Sequence, residues 1–171
     1  MVPPPLVWVM SQHPDPTEIV LLLIQYGANP DIPSDIKGKE ASALGIAAEG
    51  GNTEITETLL KMGVDPNAFL NRFILIATLE SNQIEISRLL VDYGADLNFY
   101  ANDEALSTVA QNRSIEGVGL LLNNGISAEQ IEVFKKWITA ELGTIEPKTK
   151  DHTKLVEIQG LLINAKKSSG K

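Results

Sequence analysis

The chain has 171 residues, 43% hydrophobic and 5% aromatic, with 14 basic and 22 acidic side chains, a formal charge of −8 and no cysteine. That length suits one domain or a few stacked repeats, the apolar content excludes a disordered chain, and the absence of thiols excludes disulfides and thiolate-held metals. Scarce aromatics with frequent Leu, Ile and Ala favour helices packed on helices over a β-sandwich.

The charge is unevenly spread. Residues 148–171 hold six Lys against two acidic residues, a net +4, which leaves −12 on residues 1–147. A body this acidic repels phosphate backbones, so nucleic acid is not an expected partner. The basic tail reads as a solvated end. The longest apolar run, Ile19 to Ile24, is too short to span a bilayer, and Met-Val-Pro-Pro-Pro lacks the basic n-region of a secretory signal. The expected location is the cytoplasm.

In chain order, the first element is a short helix around Leu6 to Met10. It is apolar on most sides, so either its Trp8 face is covered by something or the chain was cut from a longer one. Asp15-Pro16-Thr17-Glu18 marks the next helix start, with Asp as N-cap and Pro at the first helical position. That helix ends at Tyr26-Gly27, and Pro30, Pro33 and Gly38 mark an extended loop after it. Short apolar helices follow at 43–48, 74–79 and 105–110, each leading into a longer one. Asn52 and Ser114 are N-caps of two of these longer helices. In the third, Ile86, Leu89, Leu90 and Tyr93 fall at i, i+3, i+4 and i+7, one apolar stripe.

The long helices end alike: Tyr26-Gly27-Ala28-Asn29, Met62-Gly63-Val64-Asp65, Tyr93-Gly94-Ala95-Asp96 and Asn124-Gly125-Ile126-Ser127. Their glycines are 36, 31 and 31 residues apart. Eight residues before each glycine stand Ile19, Ile55, Ile86 and Gly117, and a paired apolar block such as Leu59-Leu60 or Leu89-Leu90 follows. Each glycine is expected to take the left-handed conformation that stops a helix. A period of this size means a solenoid in which each unit buries its face only against its neighbours.

The stretch Leu44 to Asn67, L-G-I-A-A-E-G-G-N-T-E-I-T-E-T-L-L-K-M-G-V-D-P-N, resembles an ankyrin repeat along its whole length, and Leu89 to Asn98 is close to the family's closing signature. The expected fold class is therefore an all-α ankyrin-repeat solenoid of about four helix–turn–helix repeats with a non-standard C-terminal helical cap. The expected array is 1–126, with repeats near 3–31, 41–67, 72–98 and 103–126. A cap at 127–165 and a disordered tail at 166–171 follow. The family's T-P-L-H opening is absent, replaced by Ser42-Ala43-Leu44-Gly45, Phe73-Ile74-Leu75-Ile76 and Glu104-Ala105-Leu106-Ser107. The hydrogen bonds that the family's Thr and His supply between repeats are then missing. The resemblance also implies that Asn67 and Asn98 hold the hairpins, a position hydroxylated in some family members; turn formation accounts for both residues.

Ser127-Ala128-Glu129-Gln130 is a capping box opening a helix with Ile131, Phe134, Trp137 and Ile138 on one face. Asp151 is read as the N-cap of a last helix bearing Leu155, Ile158, Leu161 and Leu162. Gly117 and Gly119 lie inside a helix, at about 1 kcal/mol each relative to Ala. Either they make room for Phe134 or Trp137 of the cap, or the repeat is degenerate.

No catalytic constellation stands out: the two histidines, His13 and His152, lie far apart, and neither H-E-x-x-H, a Walker loop nor G-x-S-x-G is present. No enzyme activity, cofactor or metal is expected. The resemblance implies a protein partner held by a concave face of finger tips and short-helix ends. The finger residues are Phe69 and Arg72, then Phe99, Tyr100 and Asp103. The helix-end residues are Glu49, Glu80, Gln111 and Asn112. Aromatics and Arg are enriched at binding hot spots, and the groove suits a partner with basic and apolar features. Either the finger aromatics contact the partner or they tuck under neighbouring fingers. A monomer is expected. The alternative is an interaction or regulatory fragment of a larger protein, enzymatic or host-directed. Small divergent ankyrin proteins resemble those that intracellular bacteria and large viruses deploy in host cells.

Overall fold

The computed structural model describes residues 4–32, 34–36, 39–67, 74–97 and 104–168. Among the described residues there are ten helices in helix–turn–helix pairs and one small hairpin. The chain divides into two compact units, Met1–Ala95 and Asp96–Lys171.

The first unit holds three pairs: α1 (Pro5–Gln12) with α2 (Thr17–Gln25), α3 (Ala43–Glu49) with α4 (Thr53–Lys61), and α5 (Ile74–Glu80) with α6 (Ile84–Asp92). Short helices pack on short ones, α1 on α3 and α3 on α5, and long on long, α2 on α4 and α4 on α6. Small residues permit the close approach of the short row, where Ala43, Leu44, Ala47 and Ala48 are all buried. The long row buries Ile55, Leu59 and Leu60 of α4 and Ile86 and Leu90 of α6.

Helices α2, α4, α6 and α8 end on one device. Gly27, Gly63, Gly94 and Gly125 have φ of 85°, 90°, 94° and 86°. The residue after each donates its N–H back to a carbonyl of the last turn: Ala28 to Leu23, Val64 to Leu59, Ala95 to Leu90 and Ile126 to Leu121, at 2.8–3.4 Å. This is the Schellman closure, and its apolar residue after the glycine is buried at Val64, Ala95 and Ile126. The tight corners between short and long helices repeat it. Gly51, Asn82 and Arg113 have φ of 79°, 54° and 51°, and Asn52, Gln83 and Ser114 donate back to Ala47, Thr78 and Val109 at 2.8–2.9 Å. Only one of these corners has the glycine that the conformation favours. At Asn82 and Arg113 the left-handed backbone costs on the order of 1 kcal/mol and is held by the packing of both helices.

The segment expected as an extended loop holds a hairpin. β1 (Ser34–Ile36) pairs antiparallel with β2 (Lys39–Ala41), Ser34 opposite Ala41 and Ile36 opposite Lys39. Upstream, Asn29 Oδ1 accepts from Asp31 N–H at 2.9 Å, and Asp65 Oδ1 accepts from Asn67 N–H at 2.9 Å at the equivalent turn. Asx turns therefore lead both loops away from their helices.

The second unit holds α7 (Glu104–Gln111) with α8 (Ile115–Asn123), then α9 (Ala128–Leu142) and α10 (Lys150–Ser168). The last two pack on each other, α10 also on α8 and α9 on α7. The capping box at the start of α9 forms as expected, Ser127 and Gln130 exchanging side-chain and main-chain hydrogen bonds at 3.2 Å. Phe134 and Ile138 of α9 and Leu155, Ile158 and Leu162 of α10 are buried, and Trp137 stacks on Phe134 with ring centroids 5.8 Å apart.

Three sequence expectations change here. The cap of α10 is Thr149, whose Oγ1 accepts from His152 N–H at 3.1 Å; Asp151 lies within the first turn, 3.5 Å from Arg113 Nε. A carboxylate there still suits the helix dipole. Helix α2 begins at Thr17 with Pro16 as its N-cap and no side-chain cap, rather than with Asp15 as cap and Pro16 as its first residue. Finally, Gly117 makes room for neither Phe134 nor Trp137. A Cβ on it would stand 2.7 Å from Val109 Cγ1 and 3.1 Å from Ser114 Oγ, so the space belongs to α7 of its own pair. Gly119 has nothing within 4 Å of such a Cβ.

These two glycines should respond oppositely. Gly119→Ala should stabilise by about 0.5–1 kcal/mol through helix propensity alone. Gly117→Ala should destabilise by about 1–3 kcal/mol, since Val109 is β-branched and cannot step aside. Adding Val109→Ala to Gly117→Ala should then cost less than Val109→Ala costs alone. Urea denaturation of the four variants measures this, and additive effects would contradict the assigned contact.

Candidate partner-binding site

Each short helix ends just before its corner, and its last residue escapes the burial of the rest. Glu49 ends α3, Glu80 ends α5 and Gln111 ends α7, at a constant spacing of 31 residues. All three, and Asn112 beyond Gln111, are exposed. In the first unit α3 packs on α5, so Glu49 and Glu80 close neighbouring helices. Gln111 and Asn112 hold the matching place in the second unit. Phe69, Arg72, Phe99, Tyr100 and Asp103, as well as Asn98, lie outside the described residues.

The backbone beneath these ends is tied between pairs by side chains at one repeated position, Asn52, Gln83 and Ser114. Asn52 Oδ1 caps α4 by accepting from Ile55 N–H at 2.9 Å, while its Nδ2 donates to Thr17 Oγ1 of the preceding pair at 2.7 Å. Gln83 is one methylene longer and makes no cap. Its Nε2 reaches the preceding pair instead, donating to the Glu49 carbonyl at 2.9 Å. Its Oε1 is buried without a hydrogen-bond partner, and a Cβ on Gly51 would come within 3.3 Å of it, so glycine admits the amide. Ser114 caps α8 alone, accepting from Gly117 N–H at 3.2 Å. A further tie joins Asn67 Nδ2 to the Gly94 carbonyl at 3.0 Å, between the second and third pairs; the hairpin that Asn67 was expected to hold lies outside the described residues.

These bonds do the work that the absent T-P-L-H motif was expected to leave undone. Ser42, at the motif's first position, keeps its local part by capping α3, accepting from Gly45 N–H at 2.9 Å. Sequence reasoning marked Asn52 as a cap and did not mark Gln83 or Thr17. The signal for Gln83 was its 31-residue spacing from Asn52 and Ser114; Thr17 had none, because its partner lies 35 residues away.

One buried polar contact sits within the third pair: Ser87 Oγ donates to Thr78 Oγ1 at 2.9 Å, and Thr78 Oγ1 donates to the Leu75 carbonyl at 2.9 Å. The equivalent residues of the fourth pair are Val109 and Val118, so this contact is satisfied polarity rather than a reactive site. His13 stands edge-on to Trp8 with centroids 6.5 Å apart, and His152 lies in the other unit. Lys61 bonds Glu57 at 2.7 Å one helical turn away, which raises the Lys61 pKa from its ordinary value. Among the described residues no group of three or more His, Cys, Asp or Glu could hold a metal ion, and no described helix is long and apolar enough to cross a membrane.

Helix pairs closed by left-handed turns and stacked short on short and long on long define a helical-repeat protein. The family described as ankyrin repeats, three copies, matches residues 6–101, more than half of the chain, and the chain belongs to the ankyrin-repeat family. A search of curated proteins finds no match. Ankyrin repeats generally serve as protein–protein interaction modules and are typically not catalytic.

Asn52→Ala removes a cap and an inter-pair bond together and should cost about 1–2 kcal/mol. Thr17→Val removes only the inter-pair bond and should cost about 1 kcal/mol or less. Thermal melts followed by circular dichroism compare the two. Equal losses would mean that the cap contributes nothing.

Proposed function

We propose that this chain is a protein-interaction module whose partner is read by the ends of the short helices and the fingers that follow them. The observation that carries this reading is the pair Glu49 and Glu80, both exposed at the ends of adjacent helices whose other residues are largely buried. A rigid helix end fixes the backbone from which each carboxylate extends, so that only its side-chain rotamers remain to be ordered on binding. Two such ends side by side suit a partner with basic groups. Phe69 and Arg72 after α4, and separately Phe99 and Tyr100 in the second unit, are aromatic and Arg residues of the kind enriched at hot spots; Asp103, Gln111 and Asn112 are the polar residues assigned with the latter.

Exposed carboxylates at the edge of a contact act mainly through long-range attraction. Glu49→Lys with Glu80→Lys should therefore weaken partner capture by about tenfold or more, or ~1.4 kcal/mol. Helicity should stay unchanged, and the wild-type interaction should weaken as salt rises. Adding Tyr100→Ala should abolish capture. The measurement is a quantitative pull-down against wild type at two ionic strengths. Capture indifferent to both the charge reversal and the salt would move the site off these helix ends.

A further inference from the structure

We infer that Asn124–Gly125, at the joint between α8 and α9, is a site of spontaneous covalent modification, in which the Asn124 amide becomes a carboxylate and releases the helix end that it closes. Helices α2, α4, α6 and α8 each end on a left-handed glycine, and the residue before it is Tyr26, Met62, Tyr93 or Asn124. Only the last of these carries an amide, and Asn124–Gly125 is the only Asn–Gly pair in the sequence. Asn is among the thermolabile residues. Both residues are exposed. A Cβ on Gly125 would meet nothing within 4 Å, so neither a side chain of its own nor a neighbouring group crowds that side of the residue.

The hydrogen bonds of this end differ from those of the other three. Tyr26, Met62 and Tyr93 each donate their main-chain N–H to the carbonyl four residues back, Leu22, Thr58 and Leu89, at 3.0–3.1 Å. In α8 the matching Leu120 carbonyl accepts instead from Asn124 Nδ2 at 2.8 Å, and the Asn124 N–H turns to the Leu121 carbonyl at 3.3 Å. The closing bond, Ile126 N–H to Leu121, is 3.4 Å, the longest of the four. A side chain has displaced the main chain in the last turn, and an end held this way opens locally more readily than its counterparts.

The chemistry needs that opening. With Asn124 at ψ 20°, the closed turn holds the Gly125 nitrogen away from the side-chain carbonyl. When the turn opens, the Gly125 amide loses its proton to a solvent base and its nitrogen attacks Asn124 Cγ. The new N–C bond closes a succinimide ring, the Cγ–Nδ2 bond breaks, and the amide nitrogen takes up a proton and leaves as ammonia. Water then opens the ring at either carbonyl, leaving aspartate or its β-linked isomer, with nothing oxidised or reduced. The product cannot rebuild the contact. A carboxylate has no N–H for the Leu120 carbonyl, and it places negative charge at the C-terminal end of α8, where the helix dipole is already negative. Buried Ile126 and the α9 cap Ser127 follow directly, so the loosened turn lies at the entry to α9. The inference does not rest on the proposed partner site.

The full chain is incubated at neutral pH, digested and read by mass spectrometry, with isoaspartyl methyltransferase marking the β-linked product. Asn124 should convert at least about tenfold faster than the exposed Asn82 and Asn164. The rate should rise with pH, because the attacking amide must lose a proton, and in mild urea, because the turn must open. Asn124→Gln should leave this peptide unmodified, since its longer side chain closes a ring far more slowly. Asn124→Asp should lower Tm by about 2–4 °C. Conversion at Asn124 no faster than at Asn82 and Asn164 overturns the inference, and so does a rate that neither pH nor urea changes. An Asn124→Asp chain that melts at or above wild type overturns the release of the helix end. Should that variant fail to fold, the conversion rates of the wild-type chain decide.

Discussion

A helix pair of this size cannot hide its own apolar stripe, and burial of that stripe against the next pair is the contact on which the rest of the molecule depends. Ile55, Leu59 and Leu60 are buried because α4 lies beside α2 and α6. Burying a Leu or Ile side chain fully is worth about 1.5–3 kcal/mol. A typical hydrogen bond contributes about 0.5–1.5 kcal/mol net, and the polar ties at Asn52, Gln83 and Asn67 act to set register between pairs whose packing is already favourable.

The same constraint explains the strained corners. Left-handed backbone at Asn82 and Arg113 runs against the preference of an L-residue, yet the packed helices on either side leave no other path for the chain. Arg113 then extends toward Asp151 in the first turn of α10 and so links the corner of the α7–α8 pair to the closing helix of its unit. Gly117 shows the reverse trade: its helix gives up propensity so that Val109 can occupy the anchor position that Ile55 and Ile86 fill in the earlier pairs.

Burial also decides which residues are left at the surface. The bodies of the short helices are largely committed to their neighbours, and their exposed last residues, Glu49, Glu80 and Gln111, stand at one repeated position. In the first pair Ile19 is more exposed than Ile55 and Ile86 at the same position.

The sequence by itself determined the repeat, the helix ends and most caps, because these depend on contacts within a few residues. Gly27, Gly63, Gly94 and Gly125 must turn left-handed wherever the helices go, and Ser127 with Gln130 caps α9 without outside help. Glu49 and Glu80 were legible as helix-end residues from spacing alone, and the first pair's apolar excess was visible in its composition. Only the tertiary structure decided where non-local partners fell. Thr149 displaced Asp151 as the cap of α10, because Thr149 sits at the true start of the helix while Asp151 faces Arg113. Val109, not the cap aromatics, took the space at Gly117. Gln83 turned from capping its own helix to the Glu49 carbonyl, because its longer side chain reaches a neighbouring pair that no local pattern reveals.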